Sequence, residues 1–135
     1  MSELSLRKKI EQGRASVAFS RVKAFVAEGK DLDEYKSYSR KFPMMVKTSG
    51  LGAALAFIQS KQKTAYNRIL DDIMHWLRVD EKKIVVVNTQ DRKEFLNQVL
   101  DLDANQYRGL TTEVLAFMNW HRRFTEGLID KPQKP

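Results

Sequence analysis

Cysteine is missing from the 135-residue chain. That excludes disulfides, a thiol nucleophile and cysteine-based zinc sites, and it fits a reducing, cytoplasmic setting. Histidine is nearly missing too. His75 and His121 lie 46 positions apart, and two such residues make no zinc site without carboxylates. Long apolar runs are absent as well. The longest, around Leu51 to Ile58, is far too short to span a membrane. The basic N-terminus, Arg7-Lys8-Lys9, has no apolar stretch behind it, so no signal peptide is expected. Proline occurs three times, at Pro43, Pro132 and Pro135.

What is present is charge, unevenly placed. Residues 1–63 carry 13 basic and 6 acidic side chains, whereas residues 64–135 carry 11 of each. The whole excess of +7 therefore sits in the first half. A one-sided basic field favours a polyanionic partner: nucleic acid, an acidic protein face or a membrane surface.

The pattern predicts an all-α fold, a single compact bundle of about five to six helices over residues 1–129, with a disordered tail at 130–135. Residues 3–28 read as one long helix with Ala15, Ala18, Phe19, Val22 and Val26 on its apolar stripe. Gly29 suits its C-terminal stop. Asp31 with Glu34 reads as a capping box for a second helix, which Pro43 ends or kinks. Leu51 to Ile58 reads as a buried helix capped by Ser49. Thr64 is the expected cap of a helix over 65–78, with Tyr66, Ile69, Leu70, Ile73, Met74 and Leu77 inside. Asp91 with Glu94 starts a short helix through Leu100, and Asp103 with Gln106 starts the last one, over 104–129. Its inner positions are Tyr107, Leu110, Val114, Phe117, Met118, His121, Phe124 and Leu128. Ile84 to Val87 is β-prone but has no partner strand, so it reads as an extended connector.

Catalytic signatures fail on inspection. The run from Asp101 to Asn105 begins like a calcium loop, but Gln106 stands where the turn glycine belongs and Thr112 where the bidentate glutamate belongs. Lys47-Thr48 lacks the glycines of a phosphate-binding loop. Asp71 and Asp72 are adjacent on a helix and diverge by about 100°, so they do not form an acid–base pair. No cofactor, metal or small-molecule substrate is expected, and no enzymatic activity.

Binding to a polyanion is better supported. Arg7, Arg14 and Arg21 recur every seven residues, nearly in line on a helix. Guanidinium groups suit phosphate oxygens. Lys23, Arg40, Lys41, Lys47, Lys61 and Lys63 lie in the same half. The opposing reading is a solvated face. Reversal of Arg14 with Arg21 is expected to weaken RNA binding and leave the fold intact, with Arg122 and Arg123 mattering less. A second candidate is Lys47-Thr48-Ser49-Gly50-Leu51-Gly52, where the start of a helix and two glycines offer amides to an anion. Close helix packing through the glycines is its alternative. Tyr35, Tyr38, Trp76, Tyr107 and Trp120 have the chemistry to stack bases but occupy core-compatible positions.

The continuous run from Tyr38 to Phe57, with Pro43 and then Gly50-Leu51-Gly52-Ala53-Ala54-Leu55-Ala56-Phe57, followed by Lys61 and Trp76-Leu77, resembles the small helical subunit of the type III-B CRISPR effector, the Cmr complex. Tyr107, Thr112-Glu113 and Trp120 with Arg122-Arg123-Phe124 agree with that family's last helix. The resemblance covers about residues 5–129. It implies an all-α, non-catalytic subunit whose copies stack into the minor filament of a ribonucleoprotein. Its expected partners are the effector's backbone subunits, further copies of itself, guide RNA and target RNA. The equivalent subunit of a type III-A complex, a free-standing nucleic-acid-binding regulator and a protein-interaction adaptor are the alternatives. Steep salt dependence with RNA separates RNA binding from an adaptor, and co-purification with backbone subunits separates a filament subunit from a regulator.

Overall fold

The structure, a computed structural model, describes residues 3–80 and 89–130. Six helices follow in order: α1 (Glu3–Glu28), α2 (Leu32–Ser49), α3 (Leu51–Lys61), α4 (Thr64–Val79), α5 (Arg92–Leu100) and α6 (Ala104–Leu128). No strand occurs among the described residues. The connector at Ile84 to Val87 and residues 131–135 of the expected tail lie outside them.

α1 lies chiefly along α6, and α2 packs on α3, α4 and α6. One apolar cluster draws on all six helices, with Val22, Tyr35, Leu55, Ile69, Phe95 and Phe117 fully buried within it. The α4 face expected from sequence is buried throughout. On α6, Leu110, Val114, Phe117, Met118 and His121 are buried, while Leu128 is exposed.

Helix ends follow the sequence where a side chain meets the backbone. Gly29 stops α1 at φ 74°, a conformation without steric cost for glycine. The Asp91 carboxylate accepts from the amides of Lys93 and Glu94, and Asp103 with Gln106 forms a complete capping box.

Three expected caps are corrected. Asp31 is left-handed (φ 57°), so its side chain makes no cap bond, since capping needs an extended backbone at that position. Thr64 lies inside α4, with Lys63 before it. Ser49 ends α2, and Gly50 (φ 92°) joins it to α3. Pro43 does not end α2; the helix runs through it. Burial of Phe42 and Val46 on either side holds the helix across the missing N–H. α3 is not buried all round, because Ala53, Ala56 and Phe57 face solvent.

Candidate nucleic-acid interface

The arginine line on α1 coincides with the buried stripe. Positions 14, 18, 21, 22 and 25 share one face, and Ala18, Val22 and Phe25 are core. Arg14 and Arg21 therefore turn inward, which corrects the expected exposed row; Arg7 alone of the three is exposed. Arg14 makes a two-pronged pair with Glu113 of α6, at 2.6 and 2.9 Å. It also reaches Glu11 at 2.9 Å. The bond to Glu113 raises the ionisation of the Arg14 guanidinium, against the lowering effect of burial. Glu113 accepts a further bond from Trp76 Nε1 at 3.1 Å, and Trp76 stacks on Phe117.

Arg21 meets Asp72 at 2.8 Å, and Arg68 meets the same carboxylate oxygen at 3.2 Å. Asp72 is wholly buried. Its other oxygen accepts from the Tyr35 hydroxyl and lies 2.8 Å from His121 Nε2. On the far side of the ring, Ser39 Oγ lies 2.7 Å from Nδ1. Burial by itself would raise the Asp72 carboxyl, but His121, Tyr35 and Arg21 together hold it below the usual carboxylate range. Burial, and then the Asp72 charge, push the Tyr35 hydroxyl far above the usual phenol range.

Ser39, His121 and Asp72 share the composition of a hydrolytic triad but not its use. All three have no exposed surface, so the hydroxyl meets no substrate. The ring is also reversed relative to a working triad, with Nε2 toward the carboxylate and Nδ1 toward serine. The cluster ties α1, α2, α4 and α6 together. Asp71, next in the chain, points elsewhere, into a two-pronged pair with Arg92 of α5 at 2.8 and 2.7 Å. Among the described residues no group of three acidic, His or Cys side chains could hold a metal.

The glycine segment resolves in favour of packing. The Gly52 amide donates to the Tyr107 hydroxyl at 2.7 Å. A Cβ on Gly52 would stand 3.1 Å from Leu100 Cδ2. The helix start that was a candidate anion site is thus occupied by a side chain of α6. Tyr107→Phe is expected to cost about 1–2 kcal/mol, because the amide loses its acceptor where water is crowded out. Urea melts would check this.

The remaining sequence-predicted cations are exposed: Lys23 on α1, Arg40, Lys41 and Lys47 on α2, Lys61 ending α3, and Lys63 before α4. Among the described residues Arg40 alone of these joins an ion pair, a loose one at 3.5 Å with Glu126. Lys23 lies over Phe19 and Lys61 over Phe57, at 5.9 and 5.0 Å. Of the five aromatic candidates two are inside, while Tyr38, Tyr107 and Trp120 are half-buried. Tyr35 and Trp76 are buried, and Tyr38 stacks on Tyr66 at 3.7 Å.

Arg122, expected to matter less than Arg14 and Arg21, has a definite place in the fold. It lies on α6 opposite Arg40 and Lys47, across a groove of about 400 Å³. Its i−3 and i−7 neighbours Asn119 and Leu115 line the same groove, a spacing legible in the sequence once the α2–α6 pairing is known.

Comparison with known proteins agrees with this architecture. Residues 10–128 match the family model described as CRISPR-associated protein (Cas_Cmr5). The CRISPR system Cmr subunit Cmr5 of Thermus thermophilus is 31% identical over 117 residues, spanning 87% of this chain and 93% of that one. The X-ray structure of a CRISPR-associated Cmr5 family protein from the same organism superposes with a TM-score of 0.75 at 30% identity, covering 90% of this chain and 97% of that one. On the family model and on these relatives, the chain belongs to the Cmr5 family of CRISPR-associated proteins, as the small subunit of a type III-B effector.

Proposed function

We propose that the protein is a non-catalytic, cytoplasmic subunit that stacks with further copies of itself along the effector's backbone subunits. There it helps hold guide and target RNA through a basic face. The observation that carries this reading is the placement of charge. Arg14 and Arg21 are committed to buried carboxylates, yet Lys23, Lys41, Lys61 and Lys63 project outward with no ion-pair partner among the described residues. Such lysines are strongly solvated point charges, suited to contacts with phosphate independent of sequence. Support for a non-catalytic role comes from the sealed Ser39–His121–Asp72 cluster. No helix of the described residues is long and apolar enough to cross a membrane.

The test uses Lys41→Glu, Lys61→Glu and Lys63→Glu in one chain. These side chains are exposed, so stability should move by no more than about 0.5 kcal/mol each. In the assembled complex, RNA affinity should fall, and the slope of log affinity against log salt should flatten by about 0.7–0.9 for each phosphate that is no longer neutralised. Unchanged affinity and slope would remove RNA from this face.

A further inference from the structure

The groove between α2 and α6 differs from the rest of the basic surface. Arg40, Lys47 and Arg122 line it together with the apolar side chains of Pro43, Met44, Leu115 and Met118. Phosphate needs the cations and has no use for the apolar part. A fitting occupant carries a large apolar side chain between carboxylates.

This chain presents such a knob. Leu100 is 64% exposed and Met44 62%, the two most exposed large hydrophobic residues among those described. Leu100 ends α5 directly above Gly52. Asp101 follows it, Asp103 begins α6 after one further residue, and both aspartates are exposed. We propose that the Leu100–Asp103 turn of one copy seats in the α2–α6 groove of the next, with Leu100 on Met44 and the two carboxylates facing Arg40, Lys47 and Arg122. The proposal rests on the stacking reading above and names the surfaces that would do it. Within one copy, Tyr107 near the knob and Asn119 in the groove lie about 18 Å apart along α6, at 1.5 Å per residue. Knob and groove are therefore separate surfaces, and a head-to-tail contact between them leaves one of each open for a further copy. Among the described residues Glu126 is the one carboxylate in an ion pair with these cations, through Arg40, and docking would draw Arg40 from it toward Asp101 or Asp103.

Because the chain contains no cysteine, introduced thiols report only on designed positions. A Leu100→Cys copy and a Met44→Cys copy are mixed under mild oxidation. Disulfide-linked dimer should form about tenfold or more faster than between Leu100→Cys and Val79→Cys copies, since docked thiols react at high effective concentration. Val79 is exposed but lies outside the groove. Asp101→Lys in the first copy should slow the linkage, and adding Lys47→Asp in the second should restore it. Equal rates for positions 44 and 79 would overturn the proposal. So would loss of RNA binding on Lys47→Glu with Arg122→Glu together with no linkage at 44, which would assign the groove to RNA. The same oxidation is repeated in the assembled complex beside a lysine cross-linker. Copies joined by the cross-linker but not through 44 and 100 would leave stacking intact and refute this contact. Absence of any copy-to-copy link would refute stacking itself.

Discussion

Arg14→Glu combined with Arg21→Glu is expected to unfold the protein or lower its melting temperature by about 15 °C or more. Each reversal places a new carboxylate against one already out of water: Glu113 is 3% exposed and Asp72 not at all. Breaking one buried pair typically costs about 3–5 kcal/mol, because a buried charge is left uncompensated. The two sites have different partners and lie about 10 Å apart on α1 at 1.5 Å per residue, so their costs should nearly add. Their sum approaches the whole stability of a domain, about 5–15 kcal/mol. Thermal melts followed by circular dichroism would show it. A melting temperature within a few degrees of the parent would mean that neither pair is structural. Loss of RNA binding in this variant would report unfolding rather than the removal of cations from a phosphate backbone, which is why the test of the basic face uses exposed lysines.

Asp72→Asn should cost about half as much, from a single near-isosteric change, at about 3–5 kcal/mol. The amide cannot neutralise Arg21 and Arg68, and it turns two donors toward groups that now find acceptors there. The pH dependence has a definite sign. The Asp72 carboxyl titrates below its usual range in the fold. Its contribution is therefore complete above the unfolded carboxylate value of about 3.9 and is lost as pH falls through the lower folded value. The parent should lose stability on acidification below about pH 4, and Asp72→Asn should lose less over the same interval. Denaturant midpoints across that range would separate the two, and parallel pH profiles would place the acid sensitivity elsewhere.

The sequence carried more of these pairs than a spacing of seven revealed. Arg14 and Arg21 looked like a surface row, yet they share a helix face with Ala18, Val22 and Phe25. Glu113 sits among Leu110, Val114 and Phe117 on α6, and Asp72 among Ile69, Ile73 and Trp76 on α4. Acids and arginines both standing at core positions are the legible sign of internal pairing. Which acid meets which arginine was not legible, since their separations of 99 and 51 residues depend on how the helices assemble. Helix ends were readable at Gly29, Asp91 and Asp103, where the terminal residue itself makes the stop. They were misread at Asp31, Ser49 and Thr64, where backbone conformation set by neighbouring helices overrode the side chain. The Gly52–Tyr107 contact was open for the same reason. The glycines advertised a close approach without saying whether an anion or an aromatic side chain would make it.

The seam between the first and last helices also bears on synthesis. Glu113 leaves the ribosome 99 residues after Arg14, an interval of about 5–20 s at ordinary rates of synthesis. Until then α1 has no counter-ion from α6 at Arg14, and until Asp72 emerges none from α4 at Arg21. The nascent chain up to residue 63 carries its +7 excess without Glu113 and Asp72, the buried acids that later pair with Arg14 and Arg21. It is therefore most attractive to cellular RNA while still tethered, and completion of α6 both closes the fold and withdraws two guanidinium groups from that competition.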